Sequence, residues 1–87
     1  MKLPKTFQLA GTTWRVEETD GLSEMGHCDT EEAVIRISSK LPREIKESTF
    51  CHELVHAISD TMGLREHNER DIDAFGHLLH QFLTTRA

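Results

Sequence analysis

The sequence predicts a small α+β domain: a short, mostly antiparallel sheet packed on a long helix and a second, C-terminal helix. Three observations carry this. Up to Ser38 apolar and polar side chains alternate in short runs broken by glycine-containing turns. From Pro42 onward the apolar spacing changes to that of a helix. Gly63 then divides the helical stretch, which suits two antiparallel helices better than one rod.

Taken in order, Phe7 and Leu9 alternate with polar neighbours, Ala10-Gly11-Thr12 offers a turn, and Trp14 and Val16 resume the alternation, so this stretch reads as a β-hairpin. Asp20-Gly21 marks a second turn. Ser23 to Asp29 is weakly patterned, with Met25 and Cys28 its apolar members, and reads as loop or short irregular strand. After Asp29-Thr30-Glu31-Glu32, the β-branched run Ala33 to Ser38 is the clearest strand; Ala33, Ile35 and Ile37 share the face expected to meet a helix. Pro42 suits a first helical turn, and helix formers continue without a breaker to Met62, where Gly63 ends the helix. Asn68 is placed to cap a second helix whose apolar side carries Ile72, Phe75, Leu78, Leu79, Phe82 and Leu83. There is no repeat, linker or low-complexity tract, and the 87 residues form one domain.

Composition excludes several functions. The net charge is −5 and the basic residues are scattered, so no phosphate-binding footprint exists and nucleic acid is not an expected direct partner. No segment has the length or apolarity of a membrane span or a signal peptide, which points to the cytosol. Cys28 and Cys51 are expected as reduced thiols rather than a disulfide, with Cys51 in the core. The oligomeric state is not legible. A chain this short buries only about 60% of its unfolded surface, so a bound metal would contribute to stability as well as chemistry.

The chemistry concentrates at His52-Glu53-Leu54-Val55-His56. Histidines four residues apart on a helix lie about 40° apart around its axis, so both imidazoles leave one face. They supply half of a tetrahedral zinc site, and Glu53 stands beside the open position as a general base. Chance produces this pattern in about 5% of shuffled chains of such composition, so its setting decides. Phe50, Cys51, Leu54, Val55, Ile58 and Met62 occupy the opposite arc of the helix, and only small Ser59 shares the histidine stripe. An active-site helix is buried in this way.

A catalytic zinc takes a third protein ligand and leaves one position for water. The choices on the second helix and the connection before it are Glu66, His67, Glu69, Asp71, Asp73 and His77. In an antiparallel hairpin centred near Gly63, equal rise sets Glu69 level with His56 and Asp73 level with His52. Glu69, Asp73, Gly76 and His80 then form one stripe. Glu69 is the expected third ligand and Asp73 the acceptor for the outer imidazole N–H of His52, with Gly76 allowing close approach. His77 and His80 read as surface histidines.

The order His52, Glu53, His56, then Glu69 and Asp73, resembles the gluzincin metallopeptidases, with H-E-x-x-H followed by E-x-x-x-D. More narrowly, Glu69-Arg70-Asp71-Ile72-Asp73-Ala74-Phe75 followed by Leu78-Leu79 resembles the third-ligand helix of ImmA/IrrE-type peptidases of phages and mobile elements. The likeness covers roughly the C-terminal half. The interval from His56 to Glu69 is shorter than in that family and the chain smaller, so the nearest resemblance is to small phage-encoded proteins with this core.

The expected function is that of a zinc-dependent peptidase: a metal-activated water attacks a polypeptide amide, and Glu53 takes the water's proton and passes it to the leaving amine. The chain has no tyrosine, so His67, His77, His80 or Arg65 would have to assist the oxyanion, or zinc acts alone. The alternative is a non-catalytic zinc-binding module of phage origin that recognises a regulatory protein. A metal-free interaction domain is a third possibility.

Overall fold

The computed structural model describes residues 1–64 and 66–86. Its elements run β1 (Thr6–Leu9), β2 (Thr12–Thr19), β3 (Gly26–Asp29), β4 (Val34–Ser38), α1 (Arg43–Thr61) and α2 (Glu69–Thr85). The architecture is α+β, with a four-stranded sheet in the order β1-β2-β4-β3 and two helices.

The hairpin between β1 and β2 closes on Ala10 and Gly11, both at positive φ (49° and 83°), the conformation that matches the twist of the flanking strands in a two-residue loop. Phe7 pairs with Trp14 across it, and their rings stack with centroids 5.9 Å apart. The next pairing is the one that is not antiparallel. β2 lies parallel to β4, Val16 beside Ile35, and β3 returns antiparallel on the far side of β4 to become an edge. The sheet is therefore mixed, with two antiparallel pairings and one parallel. Alternation of side chains reports which face a residue takes, not the direction of the neighbouring strand.

β4 is central, and Val34, Ile35, Ile37 and Ser38 are all buried. Ala33, expected at its start on the helix-facing side, instead sits in the turn at φ 55°. Ile35 and Ile37 join Trp14, Phe50, Cys51 and Ala57 in the core, with Phe7 set edge-on to Phe50 at 6.0 Å. Burial pushes the Cys51 thiol up to about 11, so it is inert packing.

α1 follows Pro42, which occupies the residue before the first helical turn rather than the turn itself. The helix ends where glycine permits it: Gly63, at φ 84°, donates to the Asp60 carbonyl and Leu64 to that of Ser59, the paired bonds that close a helix on a left-handed residue. α2 starts on Asn68, whose side chain accepts from the Arg70 and Asp71 amides. α1 is wedged between sheet and α2, so the apolar arc drawn for it needs revision. Phe50, Cys51 and Val55 are buried as expected, but so are Thr49, Glu53 and Ala57, while Met62 at the helix end is exposed. The apolar side of α2 is also divided: Ile72, Leu79 and Leu83 pack inward, and Phe75, Leu78 and Phe82 face outward.

Candidate metal centre

α1 and α2 approach closely because α2 has no side chain at their contact. A Cβ on Gly76 would lie 2.9 Å from the His52 Cα and 3.1 Å from its amide nitrogen. This proximity, at the height of the first histidine, brings the acids of α2 to the imidazoles of α1.

His52 and His56 project together, their ring centroids 5.0 Å apart. Both turn Nε2 toward Glu69: His56 Nε2 is 2.9 Å from Oε1 and His52 Nε2 is 3.4 Å from Oε2. One donor atom from each of the three residues lies within 4.8 Å of the others. Ligands about 2.0–2.1 Å from a tetrahedral zinc are about 3.4 Å from one another, so a two-imidazole, one-carboxylate set at this separation fits the ion with small side-chain movements.

The outer nitrogens are engaged as well. His52 Nδ1 lies 3.4 Å from Asp73 Oδ1, at the level equal rise assigns to that pair. His56 Nδ1 meets His67 Nδ1 at 2.6 Å, the two rings stacking at 4.9 Å, and His67 Nε2 lies 3.0 Å from both Asp60 Oδ1 and the Leu64 carbonyl. The proton arrangement follows from these partners. His67 donates from Nε2 to the acceptors and so presents a lone pair at Nδ1; His56 donates to it from Nδ1 and keeps a lone pair on Nε2 facing Glu69. Burial holds His56 below its ordinary pKa, and neighbouring His52 and His67 act in the same sense against Glu69 and Asp60. His56 is thus neutral at neutral pH, the form that binds metal.

Glu53 stands beside the histidine pair without joining the ligand set. It is 9% exposed, and burial raises its pKa, with Glu69 and Glu24 adding to the effect and His52 and His27 opposing it. It lines a cavity of about 300 Å³ with Gly26, Thr49, His52, Asp73 and His77, and a second of about 310 Å³ with Cys28, His56, His67 and Glu69. The two share Gly26, His52 and Glu53, so clefts open on both flanks of the histidine pair. A larger cavity of about 790 Å³ lies between the first residues and α1; lined by Lys2, Lys5, Arg43 and Lys46 together with Glu18 and Glu47 over apolar side chains, it contains no histidine.

The structure thus brings together His52, Glu53, His56, Glu69 and Asp73. His77 stands over the Glu53 cavity, 3.5 Å from Asp73, and His67 borders the opposite one. His80, read as a surface histidine, is instead partly buried and 3.1 Å from Glu47. Arg65 lies outside the described residues.

Two features had no sequence forecast. One is the Asp60–His67 support of His56; the sequence offers His67 only as a ligand or oxyanion partner. The other is Gly26, where a Cβ would stand 2.6 Å from the Thr49 methyl and 3.1 Å from Glu53 Cγ. The signal for Gly26 was a glycine inside an otherwise strand-length stretch, a mark of close backbone approach. Cys28 also borders the cleft, its thiol pushed up to about 12 chiefly by burial, with Glu53, Asp60 and Asp29 contributing.

No family model, curated protein or solved structure matches the chain.

Proposed function

We propose that the protein is a zinc-dependent peptidase, with His52, His56 and Glu69 as ligands and Glu53 as general base. The observation that carries this reading is the place of Glu53: a buried carboxylate that lines the same clefts as the ligand set without belonging to it. A purely structural zinc site has no use for such a group. The resemblance of these five residues to the gluzincins, and of the second helix to the ImmA/IrrE type, supports the same reading.

Zinc, when bound, supplies a Lewis acid that acidifies water and polarises a carbonyl. The rest falls to the chain. Asp73 and the Asp60–His67 pair fix the two imidazoles with Nε2 facing Glu69. The raised pKa of Glu53 brings its proton affinity closer to neutrality, which helps a group that takes a proton from water and returns it to an amine. β3 is a sheet edge beside α1, and Gly26 at its start lets the strand approach Thr49 and Glu53 more closely than a side chain would allow. An extended peptide adding to this edge would pass its backbone beside the clefts. His77 is placed to assist a developing oxyanion, whereas both ring nitrogens of His67 are already engaged, by His56 on one side and by Asp60 and the Leu64 carbonyl on the other.

A non-catalytic zinc-binding module that recognises a regulatory protein is the second reading. What favours it is the openness of the acids: the Glu69 side chain is 69% exposed, so the cleft is shallow. In neither case is nucleic acid or a membrane the expected partner; no helix among the described residues is long and apolar enough to cross a membrane. The two readings separate in Glu53→Gln. Under the peptidase reading, zinc-loaded wild type generates cleavage products in a cell extract and Glu53→Gln, equally folded and zinc-loaded, generates about 10²–10⁴-fold less. Identical product profiles would favour the binding module.

A further inference from the structure

Helix α2 is amphipathic on two sides rather than one. Ile72, Gly76, Leu79 and Leu83 face the core, while Phe75, Leu78 and Phe82 are 59%, 67% and 62% exposed. These three lie at i, i+3 and i+7, within an arc of about 60°. Single exposed apolar residues are ordinary, but this stripe exposes on the order of 350 Å² of contiguous apolar surface, the size of patch that often marks an interface.

Its charges identify the partner. The stripe begins at Asp71 and ends at Arg86; Asp71 forms no salt bridge within the described chain, and Arg86 bonds the Leu83 carbonyl at 3.4 Å. The positions 71 and 86 have the same midpoint as 75 and 82. If two copies of α2 pack antiparallel about a two-fold axis beside Leu78, equal rise sets Phe75 level with the other copy's Phe82 and Asp71 level with the other copy's Arg86. The net charge of −5 would oppose self-association over most of the surface, yet this stripe carries one charge of each sign, arranged to complement itself.

We propose that the protein forms an antiparallel α2–α2 homodimer through Phe75, Leu78 and Phe82, with Asp71 and Arg86 pairing across it at both ends. The stripe lies about 160° around α2 from Asp73, so both metal clefts stay open and the dimer is independent of the zinc reading. With exposed Ala74, Gln81 and Thr85 flanking the apolar residues, the contact buries about 1,000–1,200 Å² in total, at the lower limit for a stable dimer.

Sedimentation velocity from about 1 to 500 μM, at low salt, tests this on the full chain. The expected result is a concentration-dependent rise from 10.0 kDa towards twice that mass. Phe82→Lys, at an exposed site, should leave the circular dichroism unchanged and abolish the rise. Asp71→Arg and Arg86→Asp should each weaken association on the order of tenfold, and the double variant should recover most of it. A monomer at every concentration, a dimer indifferent to Phe82→Lys, or a charge swap that fails to restore association would each overturn the proposal.

Discussion

Replacing Gly76 with Ala tests the helix contact on which the metal centre depends. In an exposed helix the change would stabilise, since alanine is favoured over glycine by about 1 kcal/mol. Here the new methyl would stand 2.9 Å from the His52 Cα, against the roughly 3.5–4.0 Å at which two carbons rest comfortably. The obstacle is helix backbone, which cannot rotate away, so α2 must retreat by about 0.6 Å or more. Overpacking of this kind costs about 1–3 kcal/mol and the loosened helix contact adds to it, leaving a net destabilisation of about 1–2 kcal/mol after the propensity gain. For a chain of this size the melting temperature falls by about 4–8 °C for each kcal/mol. The same retreat carries Glu69 and Asp73 from the imidazoles, so zinc affinity should drop about tenfold. Differential scanning calorimetry on the metal-free protein and a chelator competition on the loaded one read the two effects separately. A variant that melts higher than wild type and binds zinc equally would refute the close contact.

Glu69→Ala should weaken zinc more than Asp73→Ala, because the first removes a ligand and the second an orienting acceptor worth about 10–100-fold; the reverse order in a chelator titration would make Asp73 the ligand. His67→Ala and Asp60→Asn should each weaken zinc by about tenfold, and unchanged affinity in both would remove the Asp60–His67 support from the account. Away from the site, burial pushes Glu47 up, but His80, Arg43 and the Met1 amine outweigh it and hold the carboxylate below the ordinary 4.5. A depressed folded-state pKa adds stability above the unfolded value that is lost as pH falls through the folded one. Metal-free Glu47→Gln should therefore melt below wild type at pH 6, and the gap should narrow below about pH 4; a constant gap would show that the carboxylate's charge is not what matters.

What could be read in the sequence was what local chemistry dictates. Ala10-Gly11, Gly63 and Asn68 announced a turn, a helix end and a helix start because each supplies a backbone conformation or an acceptor needed there. The levels of Glu69 and Asp73 against the histidines followed from constant helical rise once Gly63 fixed the turn. What was not legible depended on neighbours distant in sequence. Nothing in β2 or β4 states that they run parallel. The period of α2 marked six apolar positions without saying that Phe75, Leu78 and Phe82 would be left outside. Ala33 looked like strand by its neighbours, yet the turn into β4 required it at positive φ. His67 and Asp60 are linked by how the α1–α2 connection folds back, and no periodicity encodes that.

Elemental analysis of protein purified without added metal, and again after zinc reconstitution and exhaustive dialysis, measures whether His52, His56 and Glu69 hold one zinc ion. One zinc per chain is expected in the wild type and in Glu53→Gln, and loss of most of it in His56→Ala. Near-zero zinc in reconstituted wild type, or full occupancy in His56→Ala, would contradict this ligand set.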